Sequence, residues 1–425
     1  MKIAYLNHTF PPMVTGVSHA VHHLAAGMAG RGHSVLVVVA SDQGAPYTTM
    51  HPNLRVMRLR SYPNPMAREL RFMLWPQSKI TSILEDFAPD IVHIHDPLLA
   101  TLVRMGYIKA HRVPTIFTAH IHPQVLSYYS PHAAVFNPVI EKMAEAYCKW
   151  LLQQADALVM PSRTIDRYLS RLTQRPAHVI SNGIDLAKFH PLSLHAGEER
   201  CLRKKYDLDP HAAVILHVGR MSKEKNVAGI VRASAAAMKG NSAQLLIVGD
   251  GPERQKIKNL CGQLGVGART SFPGFVAHNG DLPGLYRMAS VFVTASEFEA
   301  QGLVLLEAAA CGTPIVAVNS GAAPELVLDE INGYLVRPGE IERMADRIQE
   351  LLVPSEKAST MGQRSRALAE KHAHQATFEE HERLYQQTIT SMGRLTQATN
   401  NRIPILMGSV RKGVSGIFKR AFAWL

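Results

Sequence analysis

Cysteine is scarce in this chain of 425 residues: four in all, Cys148, Cys201, Cys261 and Cys311, each fifty or more positions from the next. That spacing excludes a paired-cysteine metal or redox motif and fits a reduced, intracellular setting. No run of about 18 apolar residues occurs, so no helix is expected to span a bilayer. The opening MKIAYLNHTF lacks the apolar core of a signal peptide and reads as a first strand. Solenoid repeats and low-complexity tracts are missing too. Acidic residues stop at Glu382. From Arg383 onward there are seven cations and no Asp or Glu, so this end carries seven of the twelve excess positive charges. No stacking aromatic series or recognition motif accompanies the charge, and nucleic acid is not an expected partner. A cytoplasmic protein is what these absences leave.

What is present is an ordinary globular composition, 46% hydrophobic and 19% charged. The length exceeds one core and implies two domains. Short apolar, β-branched runs alternate with helical patterns. The first series is 3–6, 35–40, 91–94, 115–118, 157–160 and 178–180; the second is 214–218, 244–248, 291–294, 314–318 and 334–336. Such alternation predicts an α/β fold of parallel sheets covered by helices on both faces. The break falls between Asp185 and His211, in polar, proline-bearing sequence without strand character. The reading is a first domain over 1–185, a linker over 186–211, a second domain over 212–375, and a tail over 393–425. After Glu340 the pattern is helical, over 341–352 and from 355 to about 391. Ligands of open α/β sheets bind beyond the carboxyl ends of the strands, which places the chemistry in the groove between the halves.

One stretch carries more chemistry than the rest. SEFEAQGLVLLEAAACGTPIVAVNSGAAP, residues 296–324, sets Glu299 and Glu307 eight positions apart. A glycine turn at Gly302 leads into a helix near Leu303. Such a turn points unpaired N–H groups and the positive end of the helix dipole forward, and phosphate is the natural occupant. The two carboxylates can hold sugar hydroxyls on either side of it. Upstream, LHVGRMSKEKN ends a strand at Gly219 and places Arg220 and Lys225 on the following loop, where two cations can converge on a diphosphate. IVGDGPER is a strand, a glycine turn and a proline at a helix start. After strand one, Gly16 would let the backbone approach a phosphate or sugar at a helix start.

With Ser296, Gly302, Gly312, Pro314, Gly321 and Glu325 in step, the stretch resembles the donor-site motif of the retaining glycosyltransferases of family 4. That resemblance implies the GT-B architecture, two facing Rossmann-like domains with an interdomain cleft. It also implies a UDP- or GDP-linked sugar as donor, with no cofactor and no metal. Glu299 is then expected on the transferred sugar, Glu307 on the ribose, and Arg220 and Lys225 on the diphosphate. The segment Ala300, Gln301, Gly302 and Leu303 faces the leaving phosphate. Gly249, Gly251 and, in PGFV, Val276 belong to loops that read the base. Gly16 carries over from the family's opening glycine pair, with Thr15 in place of the first. His120, in TAHIHP, is expected to approach the sugar from the opposite wall. A helix over 376–392 returns to the first domain. The expected catalytic set is His120, Glu299, Arg220 and Lys225.

His93 and His95 share one face of their strand by the period-two rule. With no third ligand in view they read as groups supporting the site, a metal pair being the alternative. Asp207 and Asp209 read as solvated linker rather than a metal-binding pair. The family's usual Gly-Phe-Gly is replaced by Ala300-Gln301-Gly302, and a Gln-Gly here looks like the bacterial diacylglycerol glucosyltransferases. In the tail, Val410, Val414, Ile417, Phe418, Ala421 and Leu425 share a helical face away from Lys412, Lys419 and Arg420. A basic amphipathic helix suits an anionic membrane surface; packing on the protein or disorder are the other readings. MARELRFMLW, residues 66–75, is a second basic-apolar stretch, either a membrane contact or a domain helix. The expected reaction is retaining transfer of a hexose to an acceptor hydroxyl, on a membrane lipid such as diacylglycerol, at the inner face of the cell membrane. A soluble or polysaccharide acceptor, an epimerase or phosphorylase on the same scaffold, and a catalytically silent nucleotide-sugar-binding module stay open.

Overall fold

A computed structural model of the chain describes residues 1–400 apart from 14, 65–66, 75, 98, 100–106, 121–132, 193 and 279. The expected membrane-facing helix of the tail therefore lies outside the described residues. In chain order the first ten strands are β1 (Lys2–Leu6), β2 (Ser34–Ala40), β3 (Tyr47–His51), β4 (Leu54–Leu59), β5 (Tyr62–Asn64), β6 (Ala67–Phe72), β7 (Ile91–Ile94), β8 (Thr115–Thr118), β9 (Ala157–Met160) and β10 (Ala177–Val179). Six more follow: β11 (Val214–Val218), β12 (Gln244–Val248), β13 (Thr270–Gly274), β14 (Val291–Thr294), β15 (Ile315–Val318) and β16 (Gly333–Val336).

They form an eight-stranded sheet in the order β10-β9-β8-β7-β1-β2-β4-β3, a six-stranded sheet in the order β13-β12-β11-β14-β15-β16 and a two-stranded sheet of β5 and β6. Every pairing in the second is parallel, and in the first only β3 runs antiparallel, against β4. Parallel strands need crossover helices, and those helices bury both sheet faces. The sequence shows why this works. In β1, Ile3 and Tyr5 enter one core cluster while Ala4 and Leu6 enter another. In β11, Ile215 faces one layer and Val214, Leu216 and Val218 the other. Both faces are apolar, so the strands read as continuous hydrophobic runs.

The structure departs from the sequence reading in five places. β4 escapes the apolar-run signal because arginines interrupt LRVMRL, and β3 because YTTMH is largely polar. Arg58 is buried nonetheless, donating to Pro11 O (2.6 Å) and Thr49 Oγ1 (3.1 Å) and pairing with Asp42 at 3.4 Å. β13 contains Pro273, tolerated because β13 is the sheet's edge. Residues 67–72 are a strand paired antiparallel with β5, not a helix. The 186–211 stretch is not a bare linker: it contains a helix, Ala196–Lys205, and buries Phe189, Tyr206 and Leu208 in the second unit's core. Asp207 and Asp209 are exposed there. Finally, the long C-terminal helix is two, Glu356–Glu370 and His374–Asn400. The break serves a crossing: Ile184 N donates to His372 O (2.8 Å) and His374 N to Ile184 O (3.0 Å), tying the turn to the start of the connecting segment.

Beyond that turn, the helix His374–Asn400 lies against the first unit. Tyr385 Oη is 3.0 Å from Tyr5 Oη and 2.8 Å from His93 Nδ1, and Glu382 pairs with Arg31 and His33. Gly27 makes the approach possible, since a Cβ there would sit 2.4 Å from the Phe378 ring. Among the described residues, no helix is long and apolar enough to cross a membrane.

Candidate active site

The loop after β11 is the floor of the site. Gly249 and Gly251, on the neighbouring loop after β12, have φ values of 126° and 158°. A Cβ on Gly249 would lie 2.0 Å from Gly219 O, and one on Gly251 would lie 2.4 Å from Met221 O. Met221 N donates to Asp250 O and Glu253 N to Met221 O, both at 2.9 Å. The two glycines are thus demanded by loop-on-loop packing that fixes the Arg220 segment. A short 3₁₀ turn, Lys223–Lys225, then ends at Asn226, whose side chain caps the next helix at Gly229 N. This holds Lys225 in place.

Lys225 Nζ donates to Glu299 Oε1 at 2.5 Å, with both side chains largely buried. Burial alone would raise the Glu299 carboxyl, but the adjacent Lys225 ammonium outweighs it and holds the group below its ordinary range. His217 sits beneath the pair. Its Nδ1 donates to Val293 O at 2.9 Å, and burial lowers its pKa to about 4, so it is neutral. Gly302, at φ 84°, turns the chain into the helix Leu303–Ala310. The first N–H groups of such a helix lack intrahelical acceptors, and its dipole is positive at this end. Glu307, on the same helix, is 3% exposed. It accepts from Tyr286 Oη (2.8 Å) on one oxygen and pairs with His278 Nε2 (2.9 Å) on the other.

The first unit supplies the facing wall. Gly16, at the start of the helix Gly16–Gly30, is exposed with open space in front of its Cβ position. Thr15 is the N-cap, forming a reciprocal capping box with Ser18; a glycine would lose that bond. One turn on, the His19 ring meets the His278 ring of the second unit at 4.0 Å between centroids. His120 stands at the carboxyl end of β8 with Nε2 2.8 Å from His95 Nδ1, and burial lowers its pKa to about 4. His93 spends both ring nitrogens on protein partners, Tyr385 Oη (2.8 Å) and Thr118 Oγ1 (2.6 Å), which leaves none for a metal. Among the described residues no three His, Cys, Asp or Glu side chains are grouped to hold a metal ion.

Contacts between the units cluster around the Glu299 loop. Ser162 Oγ donates to Ala300 O at 2.6 Å. The Gln301 amide accepts from Asn182 N at 2.9 Å and donates to Ser181 Oγ. Glu325 accepts from Arg163 N (2.9 Å), Thr164 N (2.6 Å) and Thr164 Oγ1 (2.5 Å). The Gln301 side chain is committed to the first unit, so the group it can offer a phosphate is its backbone N–H, and the Val276 side chain lies in the second core, leaving its backbone for a base. Lys225 meets Glu299; Gly302, Leu303 and Glu307 follow on the turn and helix after it, and Arg220 is on the same loop as Lys225. Sequence reasoning missed His217, Tyr286, His278 and His19. His278 lies two positions beyond Val276, where the reading of PGFV stopped. A cavity of about 480 Å³ in the first unit, lined by Phe10, His22, His51 and Arg58 among others, includes none of the candidate residues.

Residues 199–368 match the family description "Glycosyl transferases group 1", and residues 14–188 match "Glycosyltransferase Family 4". A relative in Streptococcus pneumoniae, alpha-monoglucosyldiacylglycerol synthase, is 26% identical over 337 residues, 79% of this chain and 75% of its own length. Among solved structures, sucrose-phosphate synthase from Thermosynechococcus elongatus superposes with a TM-score of 0.77 at 24% identity, over 92% of this chain and 99% of that one. The Anabaena protein HepE in complex with UDP-glucose gives a TM-score of 0.71 at 20% identity, over 92% of this chain and 100% of its own.

Proposed function

Given that the chain belongs to the group 1 and family 4 glycosyltransferases and has their GT-B fold, we propose that it moves a hexose from a nucleoside-diphosphate sugar to an acceptor hydroxyl with retention of the anomeric configuration. The observation that carries this reading is the Lys225–Glu299 pair, 2.5 Å apart, beside the start of the helix that bears Glu307. A lysine ammonium has three N–H donors. One orients Glu299; the others are available to a diphosphate, alongside Arg220 and the N–H groups of residues 300–303. These donors stabilise charge that grows on the departing phosphate, in a partly dry site where such stabilisation is strongest. No metal is required for that task.

The bond from C1 to the phosphate oxygen breaks with its electron pair on phosphate, the acceptor oxygen bonds to C1 from the same face, and the acceptor proton passes to the departing phosphate oxygen. Glu299 positions the sugar hydroxyls through this change and does not itself bond to C1. Glu307 holds the ribose, and His120 approaches the sugar from the first unit. The UDP-glucose seen in the HepE structure supports a nucleotide-sugar donor.

For the acceptor, the relative that is named for glucosyldiacylglycerol synthesis and the basic 393–425 segment support a membrane lipid at the inner leaflet, with the protein held peripherally. Mass spectrometry of UDP- and GDP-hexoses incubated with enzyme and membrane lipid extract tests donor and acceptor together. A glycolipid with the donor's anomeric configuration is expected, whereas product only on soluble glycans would sink the lipid assignment. Sedimentation of the full chain and a 1–392 truncation with anionic vesicles tests the tail. Equal, salt-insensitive binding would count against it. Glu299→Gln is expected to abolish transfer without trapping sugar on the protein. A glycosylated Glu299 in the native enzyme would instead make it a nucleophile.

A further inference from the structure

Glu307 is gripped at both oxygens, by Tyr286 Oη at 2.8 Å and His278 Nε2 at 2.9 Å. A carboxylate only accepts, so His278 donates through Nε2. The second ring nitrogen, Nδ1, is then left for another partner. That Nδ1 is buried and has no hydrogen-bond partner among the described residues. Against the ring, at 4.0 Å, lies His19 from the helix Gly16–Gly30 of the opposite unit, and its Nε2 is buried and unmatched as well. Buried polar atoms are nearly always paired, and an orphan costs stability. Two orphaned imidazole nitrogens on opposite walls, beside a buried carboxylate, mark a place made for a polar ligand group.

The chemistry of the place narrows the ligand. The Glu307 oxygens only accept hydrogen bonds and repel a phosphate oxygen, so the group welcomed here is a hydroxyl, which can meet the imidazole nitrogens as donor or acceptor. His19 is held neutral, its pKa lowered to about 4 by burial, with His278, His22 and Lys188 adding to the effect. It presents one ring nitrogen as donor or acceptor without a charge.

We propose that His278 and His19 form a two-imidazole clip that holds a ribose hydroxyl of the donor nucleotide against Glu307, so that the nucleotide is gripped from both units at once. The proposal rests on the nucleoside-diphosphate sugar reading. It adds a residue from the first unit to the donor site and gives His278 two duties, positioning Glu307 and receiving the hydroxyl.

Calorimetric titration of the full-length chain with UDP and GDP, and with their 2′-deoxy and 3′-deoxy counterparts, tests the clip. The wild type is expected to prefer one or both ribonucleotides over a deoxy form. His278→Ala and His19→Ala should each weaken ribonucleotide binding by about tenfold, the scale of one lost hydrogen bond to a buried group, and pull the ribo-to-deoxy ratio toward one. His278→Gln, which can still donate to Glu307 and accept a hydroxyl, should recover part of the loss. In turnover, KM for the donor should rise while kcat changes by less than about threefold. Variants with lowered thermal midpoints but an intact ribose preference would show a purely structural role and overturn the clip alone. A wild type that binds none of these nucleotides would bring down the donor reading itself.

Discussion

The two walls of the cleft are built on different principles. The wall of the second unit is ionic: Lys225 against Glu299, with Arg220 nearby, all drawn from residues 219–225 and 299–307. The wall of the first unit is neutral: His19, His23 and His120 are pushed to pKa values of about 4, 3 and 4 by burial, and His95 well below its ordinary value. An ionic wall needs opposite charges on rigid turns at fixed spacing, which leaves a motif in the sequence. A neutral wall needs only that rings from distant segments meet, and that leaves none.

The sharpest way to break the comparison is to discharge the ionic wall. Lys225→Ala removes the partner of a largely buried carboxylate and a donor to the diphosphate. We expect kcat/KM for transfer to fall by about a thousandfold, with a stability loss of about 2 kcal/mol from the uncompensated Glu299. Pairing it with Glu299→Gln should restore the melting temperature and leave the enzyme inactive. Activity within tenfold of wild type in the single variant would mean that this pair is structural.

Acid should act on the opposite wall. His19, His120, His374 and His381 are lowered to about 4 from an ordinary 6.5. As pH falls through about 6.5 the unfolded chain takes up protons that the native chain refuses until about 4. Stability is therefore complete above about pH 6.5 and is lost progressively toward pH 4. Glu299, lowered instead by its cation, is lost only below the ordinary carboxylate range. Melting at pH 7.5 and pH 5 should differ by at least about 5 °C. A flat profile would mean that these rings are solvated or paired with carboxylates in the native protein.

The same contrast governs what the sequence made legible. The parallel sheets were readable because both faces of each strand are buried, so runs such as VLVVVA at 35–40 are apolar throughout. β4 was not, because its buried Arg58 is satisfied by Asp42, Thr49 and Pro11, contacts that no local pattern announces. Glu299, Glu307, Arg220 and Lys225 were readable as charges on glycine-marked turns. His278 and Tyr286 owe their position at Glu307 to the packing of the 275–288 segment, and His19 owes its position to the docking of the two units. Gln301 sits within the motif but spends its side-chain amide on Ser181 and Asn182, a partnership that no local pattern announces.

Glu325 joins the two walls, and its loss should be felt less than that of Lys225. Three donors of the 163–164 turn converge on its carboxylate, and Ala322 N, on the preceding turn, donates to Glu299 O at 3.0 Å. Glu325→Ala should lower kcat/KM by about tenfold, the scale expected when interactions of about 1–3 kcal/mol that align the units are lost. It should also enlarge the radius of gyration in solution scattering. Unchanged scattering with unchanged kinetics would assign the alignment to the Gln301 contacts instead.

The smallest expected effect is the most discriminating. Tyr385, on the returning helix, bridges Tyr5 Oη and His93 Nδ1 within the first unit. Tyr385→Phe keeps the ring and strands both partners in a dry environment, a loss of about 1–3 kcal/mol that a denaturant midpoint will register. If the neutral wall is scaffold at this depth, kcat and the donor KM should stay within about twofold of wild type. The His93 ring lies 4.1 Å from that of His95, which in turn bonds His120. A clear fall in kcat with the fold intact would therefore mean that the chain of rings sets the orientation of His120. The returning helix would then reach the chemistry through hydrogen bonds rather than merely bracing the sheet.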